Sequence, residues 1–431
     1  MKKIILLDKD KDFSLFIQSY CECLNITIES YDTIEKVKEV ISGNIKSVSG
    51  IVVNMSPHQE YQDFVKELPD SVPLCLFILG RDDVSGINAK HLKIIHKPFE
   101  NFDALKEWLL EIKPQRSSLK TDDFVKISTD FFVKYSNVNI NAFIELGESK
   151  KVKIKDIKSG LLESTLDHMK DSTDHVLIKV EDLDKYFLDI LDSLLIKYDT
   201  ASNGAIYELH TSLIEYTHNK LRLIGLSNHE IDYAARQVER SVENIFNDLT
   251  LFSEINKVLE CDDSIYRISL ITAYFSCLIS RKASVGSQKL YHEIVLASMF
   301  QDASLENKKL AMISRFGDMK EMGLSEQDYL LLTRHPEKSS ELIKDYDSFS
   351  SDVSKMIQTH HVRPHSNTII PGQKSLVSLS FPQKVFSFSN DLAYFITDEN
   401  FTDSGPLTEY VKKNYSIRGY NKIISSFLLL L

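Results

Sequence analysis

Short apolar runs alternate with amphipathic stretches along the first part of the chain. Five of these runs predict short buried strands, at residues 4–7, 27–30, 51–53, 74–79 and 92–95. Between them, apolar positions recur with the spacing of a helix, for example at residues 13–24 and 33–42. Strands that alternate with helices form a parallel sheet covered on both faces, so this part is predicted to be a doubly wound α/β domain.

The hydrophobic pattern changes twice beyond residue 113. Residues 114–121 are polar and interrupted by proline, which is typical of a linker. Apolar runs at residues 131–133, 142–146, 151–157 and 175–180, with an amphipathic stretch at 159–168, then predict a small α+β module. From residue 182 onward the spacing is helical, and the first such helix has one apolar face made of Leu183, Phe187, Ile190, Leu191 and Leu194.

Together these patterns predict a multidomain protein. The expected order is a doubly wound α/β domain at residues 1–113, a linker at 114–122, a small α+β module at 123–182 and an all-α domain at 183–431. A chain of 431 residues is too long for one ordinary hydrophobic core, which agrees with this division.

Charge and cysteine content narrow the classes of function. The formal net charge of −11 disfavours binding to nucleic acid or to an anionic membrane, and the basic segment 150–158 is interpreted as a solvated face. The five cysteines show no CxxC spacing, which favours a reducing compartment. The chain has neither a signal-peptide core nor a run of roughly 18 apolar residues, so we expect a cytoplasmic protein with no membrane span.

Polar residues follow three of the strands predicted for the α/β domain. Asp8 and Lys9 follow the first strand, Asn54 follows the third, and Lys97 follows the fifth and precedes a proline. This pattern resembles a response-regulator receiver domain over about 110 residues. In that family an acidic pair after the first strand holds Mg²⁺, an aspartate after the third strand accepts a phosphoryl group, and the lysine contacts the phosphoryl oxygens.

Two departures from the receiver pattern remove its chemistry. Asn54 has no carboxylate that could attack a phosphorus atom, and Lys9 puts a positive charge where the cation requires anionic oxygens. Lys97 either anchors a residual anion or forms a salt bridge with Asp8, and we favour the salt bridge. The domain is therefore expected to be a pseudo-receiver that serves constitutive dimerisation or docking.

A second group of polar residues lies in the helical domain. It comprises Gln301-Asp302, His335-Pro336 and the run His360-His361-Val362-Arg363-Pro364. Histidine and aspartate side chains that converge from several helices are how metal sites are built in helical bundles. Other histidines of the domain are interpreted as surface or satisfied core residues: His210, His218, His229 and His292.

The order and spacing of this second group resemble an HD-GYP domain over roughly residues 255–410. That family comprises metal-dependent phosphodiesterases that open cyclic-di-GMP. Residues 300–305 match its "HDIGK" stretch with only Asp302 kept, and residues 360–364 match "HHERP" with Val362 at the glutamate. Asn390 stands at the late aspartate, residues 366–372 replace the GYP loop, and no early histidine occurs around residues 268–269.

These losses decide what the resemblance implies. Asp302, His335, His360 and His361 remain, and they can hold one metal ion. A bridged pair of metals that activates water needs more anionic oxygen, so we assign no catalytic residue. The interpretation we favour for the four residues is a hydrogen-bonded polar core without a cofactor, followed by a single divalent Fe, Mn or Zn ion.

The expected function is a non-catalytic adaptor or effector in two-component and cyclic-di-GMP signalling, with protein partners and homodimerisation. The alternatives are a residual metal-dependent cyclic-di-GMP phosphodiesterase and an effector that binds cyclic-di-GMP without cutting it. Arg363 and Lys374, which flank the former GYP loop, are the candidates for phosphate contact in that effector. An HDOD-type domain is a further alternative, and the retained His360-His361 pair argues against it.

Overall fold

A computed structural model describes most of the chain. The described residues are 3–10, 13–15, 17–18, 21, 26–44, 48–54, 59–69, 72–79, 92–97, 105, 108–109, 124–138, 140–146, 150–155, 173–200, 205–248, 251–261, 264–313, 322–364, 379–398 and 404–431. They form two compact units, Met1–Ala201 and Ser202–Leu431. The predicted linker and the amphipathic stretch 159–168 lie outside these residues.

The first unit begins with a five-stranded parallel sheet. Its strands are β1 (Lys3–Leu7), β2 (Ile28–Tyr31), β3 (Val48–Asn54), β4 (Leu74–Leu79) and β5 (Lys93–Lys97). The order β2-β1-β3-β4-β5 is that of flavodoxin-like doubly wound sheets. Helices α1 (Ile34–Asn44) and α2 (Gln59–Glu67) are described beside it. The structure confirms the prediction of a parallel α/β sheet.

The register of the central strands positions the receiver-like residues. Strands β1 and β3 are neighbours, and Leu7 pairs with Val53. Both strands are almost wholly apolar and buried, as expected for strands covered on both faces. Asp8 and Asn54 follow the paired residues directly, so they meet at the carboxyl edge of the sheet, where ligands bind in such folds.

A small antiparallel sheet follows in the same unit. It contains β6 (Phe124–Ser128), β7 (Ala142–Leu146), β8 (Lys150–Lys155) and β9 (His175–Lys179), in the order β6-β9-β7-β8. Residues 131–133 lie in helix α3 (Thr129–Lys134), and the strand that precedes this helix was not recognised in the sequence. The module is therefore α+β as expected. Its first strand begins at residue 124, seven residues before the apolar run that begins at residue 131.

Helix α4 (Val180–Thr200) belongs to this first unit. All five positions of its predicted apolar face are buried. Tyr186 and Phe187 of α4 pack on Phe131 of α3, and the helix packs on β9. These contacts explain why the compact unit extends to Ala201, whereas the sequence pattern assigned residues from 183 onward to the helical domain.

Helices make up the second unit. They are α5 (Ala205–Leu223), α6 (Asn228–Asp248), α7 (Leu251–Leu259), α8 (Ser264–Lys282), α9 (Gln288–Phe300), α10 (Lys308–Ala311), α11 (Glu326–Ile343), α12 (Ser351–Thr359), α13 (Phe381–Asp398), α14 (Ser404–Tyr415) and α15 (Asn421–Leu428). Helix α8 is buried along most of its length and packs on α9, α13 and α15. Helix α12 packs on both α9 and α11, which brings together the polar group identified in the sequence. Among the described helices, none has the length and apolar character needed to cross a membrane.

Candidate metal centre

The four retained residues lie within or directly after three helices. Asp302 lies in the turn that follows α9, His335 lies within α11, and His360 and His361 follow α12 directly. Each of these helices begins with a serine whose Oγ accepts a backbone N–H, which fixes where the helix starts. The serines are Ser287, Ser325 and Ser350.

The ligand atoms of three residues form a compact triangle. The Nε2 atom of His335 lies 3.1 Å from Oδ1 of Asp302 and 3.1 Å from Nε2 of His360. The third edge, from His360 Nε2 to Asp302 Oδ1, is 3.6 Å. Tetrahedral ligands at about 2.0–2.1 Å from a zinc ion lie about 3.3–3.4 Å apart, so the triangle has the size of one face of such a site. One ligand atom from each of the four residues, His361 included, lies within 4.8 Å of the others.

Backbone carbonyls fix the orientation of two imidazoles. The Nδ1 atom of His335 lies 2.6 Å from the Leu332 carbonyl, and Nδ1 of His360 lies 2.6 Å from the Ile357 carbonyl. Because a carbonyl only accepts, each Nδ1 carries a proton, and each ring in its neutral form presents the Nε2 lone pair to the centre. Two lone pairs and a carboxylate oxygen repel one another at these distances, so the arrangement requires a proton or a metal ion between them.

Protonation states at the centre also suit a metal. Burial opposes ionisation of Asp302, but hydrogen bonds and charge from His335 and His360, when Nε2 of these rings is protonated, outweigh it and hold the pKa of Asp302 well below its usual value. Burial lowers the pKa of His360 and, more strongly, that of His361. An ionised carboxylate and neutral imidazoles are the forms that ligate divalent ions.

Two carboxamides stand beside the four ligands. Gln301 and Asn390 are both fully buried, and the Asn390 side-chain amide donates to Oε1 of Gln301 over 3.1 Å. Val362, at the position of the HD-GYP glutamate, is buried as well. The positions that the resemblance assigns to further metal ligands therefore hold neutral or apolar side chains, two of which bind each other.

Arg363 lies at the same end of the bundle and is 5% exposed. Its Nε donates to Oδ1 of Asp391 over 2.8 Å, and one Nη donates to Oδ1 of Asn390 over 2.9 Å. The other Nη donates to the carbonyls of Ser387 and His360. The guanidinium, considered above as a phosphate contact, thus has protein acceptors around it. Lys374, the other such candidate, lies outside the described residues.

The partner of Arg363 was missed in the sequence. Asp391 is buried, and its second oxygen accepts the hydroxyl groups of Tyr410 and Tyr415, each over 2.7 Å. Burial and the charge of Asp391 raise the pKa of Tyr415 well above its usual value. In the sequence only its position next to Asn390 could have drawn attention to Asp391. The tyrosines that bind it lie in α14, 19 and 24 residues further along the chain.

Three of the remaining histidines have protein partners, as the satisfied-core interpretation expects. His210 is buried and lies 3.2 Å from Oγ of Ser241, and burial lowers the pKa of His210 to about 3. A ring nitrogen of His218 contacts the Met299 carbonyl. His292 is half-buried, with its Nδ1 2.6 Å from Oε1 of Glu239.

The His292 contact leads to a small pH effect on stability. The hydrogen bond to Glu239 raises the pKa of His292, partly offset by burial. A raised pKa stabilises the fold below the unfolded value of about 6.5, and this contribution is lost as the pH rises through the folded pKa. We expect the difference in urea midpoint between the wild type and His292→Gln to be largest near about pH 5.5 and to shrink toward about pH 8.5. A difference that stays constant over this range would contradict the assignment.

At the receiver-like edge of the first unit, Asn54 binds Asp8 directly. The Asn54 side-chain amide donates to Oδ1 of Asp8 over 2.8 Å, and the backbone N–H of Asp10 donates to the same oxygen over 2.9 Å. Lys9 is exposed, and its Nζ lies 5.4 Å from the centre of the Tyr61 ring. Lys97 ends β5, but its side chain is outside the described part, so its salt bridge with Asp8 stays a prediction.

Comparison with known proteins adds one distant likeness. No protein-family model matches the chain, and no curated protein matches it. A solved structure that resembles it is Bd1817, an HDG"Y"P protein from Bdellovibrio bacteriovorus, with 15% sequence identity and a TM-score of 0.46. The likeness covers 71% of this chain and 98% of that one.

Proposed function

We propose that residues 202–431 form an HD-GYP-like regulatory module that holds one divalent metal ion and does not hydrolyse a cyclic dinucleotide. The chain as a whole is then a signal-transduction adaptor. The observation that carries the proposal is the buried set of four ligand atoms from Asp302, His335, His360 and His361 within 4.8 Å of one another. Each of these residues is at most 2% exposed.

A closed set of four protein ligands is typical of structural metal sites. Catalytic sites usually keep one position for water or substrate, whereas structural zinc sites use four protein donors. One carboxylate and three imidazoles suit Zn, Fe or Mn. A bound ion would supply a cross-link between the end of α9, helix α11 and the end of α12. This geometry favours the single-metal interpretation over the metal-free polar core that we preferred from the sequence.

The neighbouring carboxamides support the non-hydrolytic part of the proposal. A two-metal centre requires further anionic or imidazole ligands. Gln301 and Asn390 cannot supply charge, and the hydrogen bond between them occupies one acceptor and one donor. Residual hydrolysis would have to use a single ion whose four positions are already taken by protein ligands, which leaves none for water or substrate.

The N-terminal α/β region is proposed to act as a pseudo-receiver, a docking or dimerisation module without a phosphorylation step. The hydrogen bond from Asn54 to Asp8 supports this role, because a neutral amide takes the place of a cation beside the retained carboxylate. Of these two residues only Asp8 carries a charge, and one oxygen of its carboxylate accepts the hydrogen bond from Asn54. Partners are expected to be proteins of signalling pathways and a second copy of the chain.

Metal analysis of the purified full-length protein tests the proposal. We expect about one equivalent of Zn, Fe or Mn per chain by mass spectrometry, because the four donors form a single site. The double variant His360→Ala with His361→Ala should contain none. The variant His210→Ala is the matched control, because it removes a buried histidine of the same unit outside the cluster, and it should retain the metal.

Two outcomes would contradict the proposal in different ways. Absence of metal from the wild type, after titration with Zn²⁺, Mn²⁺ and Fe²⁺, would return the four residues to a metal-free polar core. Turnover of cyclic-di-GMP by the metal-loaded wild type, lost in the double variant, would instead assign a phosphodiesterase. Calorimetric binding of cyclic-di-GMP without turnover would assign an effector.

A further inference from the structure

Helix α5 carries three polar side chains on the side where Arg222 contacts the turn of Asp302. His218, Asn219 and Arg222 lie on one side of α5 near its C-terminal end, since residues separated by three and four positions share a helix face. His218 contacts the Met299 carbonyl, and the side-chain oxygen of Asn219 accepts from Arg222 over 3.1 Å. None of the three belongs to the metal ligands or to the Arg363 network.

Arg222 binds the turn at two points. One Nη of its guanidinium donates to the Ala303 carbonyl over 3.1 Å and to the Leu305 carbonyl over 3.0 Å. These carbonyls lie beyond Phe300, the last residue of α9, so they take no part in the hydrogen bonds of that helix. A cationic donor in this position satisfies them and interacts favourably with the helix dipole.

The two bound carbonyls belong to the turn residues that directly follow Asp302. Ala303 is the next residue, and the backbone N–H of Leu305 donates to the Asp302 carbonyl over 2.9 Å. On its other side the turn is tied to α11, because Ser304 Oγ donates to the His335 carbonyl. The turn is therefore held between Arg222 and the helix that carries a second ligand.

We infer that Arg222 is a positioning residue for Asp302, and this inference rests on the proposed metal site. Metal ligands must lie within about 0.2 Å of their ideal distances, so a turn that relaxes would misplace the carboxylate. Loss of groups that orient a ligand typically lowers metal affinity about 10–100-fold. Arg222 acts through the backbone of the turn and contacts no ligand atom.

The test compares two arginines of the same unit. Arg222→Met keeps most of the aliphatic stem and removes the guanidinium that donates to both carbonyls, and Arg222→Lys keeps the charge but not the planar guanidinium. The control is Arg267→Met, because Arg267 is also partly buried and donates to a backbone carbonyl, that of Leu259, over 3.0 Å. Affinity for Co²⁺ is measured by competition with a chromophoric chelator, and the visible spectrum of bound Co²⁺ reports the ligand geometry.

Arg222→Met is expected to bind Co²⁺ about 10–100-fold more weakly than the wild type and to change the Co²⁺ spectrum. Arg222→Lys should fall between the two, and Arg267→Met should match the wild type in both readouts. Thermal unfolding of the metal-free proteins separates folding from positioning, since Arg222→Met and Arg267→Met should lose similar stability. Wild-type affinity and spectrum in Arg222→Met, or equal losses in Arg267→Met, would overturn the inference.

A wild type that binds no Co²⁺ would refute the proposed metal site and leave Arg222 testable. In that case ¹⁵N resonances of the imidazoles are compared in the metal-free proteins. If Arg222 positions Asp302, Arg222→Met shifts the His335 and His360 signals, and Arg267→Met leaves them unchanged. Unchanged signals in both variants would overturn the positioning role as well.

Discussion

Replacing Arg363 with methionine is expected to lower the free energy of unfolding by about 3–5 kcal/mol. The reason is the carboxylate that remains. Asp391 is 6% exposed, and it would lose the guanidinium that lies 2.8 Å away while staying buried. The carbonyls of Ser387 and His360 would lose a donor in the same step. Urea unfolding of the full-length chain, followed by far-ultraviolet circular dichroism, measures the effect.

A second substitution separates the unpaired charge from the lost packing. In the double variant Arg363→Met with Asp391→Asn the residue at 391 is neutral, yet its Oδ1 can still accept from Tyr410 and Tyr415. We expect the double variant to regain most of the lost stability, because the cost of a broken buried ion pair lies mainly in the remaining charge. A loss below about 1 kcal/mol in the single variant would instead indicate that the pair is well hydrated. Arg363 would then be available to an anionic ligand, as the sequence suggested.

The burial of Arg363 could not be predicted from the sequence. Arginine is among the residues least often buried, so a single arginine beside a histidine pair is most simply placed in solvent. Apart from the His360 carbonyl, its acceptors lie in α13, 24 to 28 residues further along the chain. No local sequence pattern relates these positions, and the same is true of Arg222, whose carbonyl acceptors are 81 and 83 residues away.

The four residues of the cluster could be singled out in the sequence, because their order and spacing resemble the HD-GYP pattern. In the structure, one side-chain N or O atom of each lies within 4.8 Å of those of the others. What the sequence left open was whether a metal or only hydrogen bonds hold them. The contacts that favour a metal are those of the Leu332 and Ile357 carbonyls, which orient Nε2 of both rings toward Asp302, and contacts of backbone atoms cannot be predicted from a sequence pattern.

The secondary structure was predictable where the apolar pattern was long and regular. The parallel sheet follows from runs buried on both faces, such as Ile51 to Val53. The apolar run at residues 131–133 could not be assigned to an element type, because three consecutive apolar residues have no period and fit a strand or a buried helix equally well. Strand β6 was missed because only Ile127 of its five residues is fully buried, which leaves little apolar signal.

Replacing Asn54 with aspartate is expected to destabilise the chain by about 1–3 kcal/mol at neutral pH. The substitution turns the donor that lies 2.8 Å from Oδ1 of Asp8 into a second carboxylate, and Asp8 is 5% exposed. Two carboxylates that share a site raise the pKa of one of them. The folded variant then binds a proton more readily than the unfolded chain, so its stability deficit should shrink as the pH falls.

The control is Asn54→Ala, which removes the same hydrogen bond without adding charge. Its deficit should not change between about pH 5 and about pH 8, so the difference between the two variants isolates the repulsion. Millimolar Mg²⁺ should raise the midpoint of urea unfolding of Asn54→Asp, because two carboxylates supply the oxygen ligands that Mg²⁺ prefers. It should leave the wild type unchanged. Stabilisation of the wild type by Mg²⁺ would mean that the site still binds the cation despite Asn54. Either that result or labelling of the wild type by a small phosphodonor would contradict the pseudo-receiver proposal.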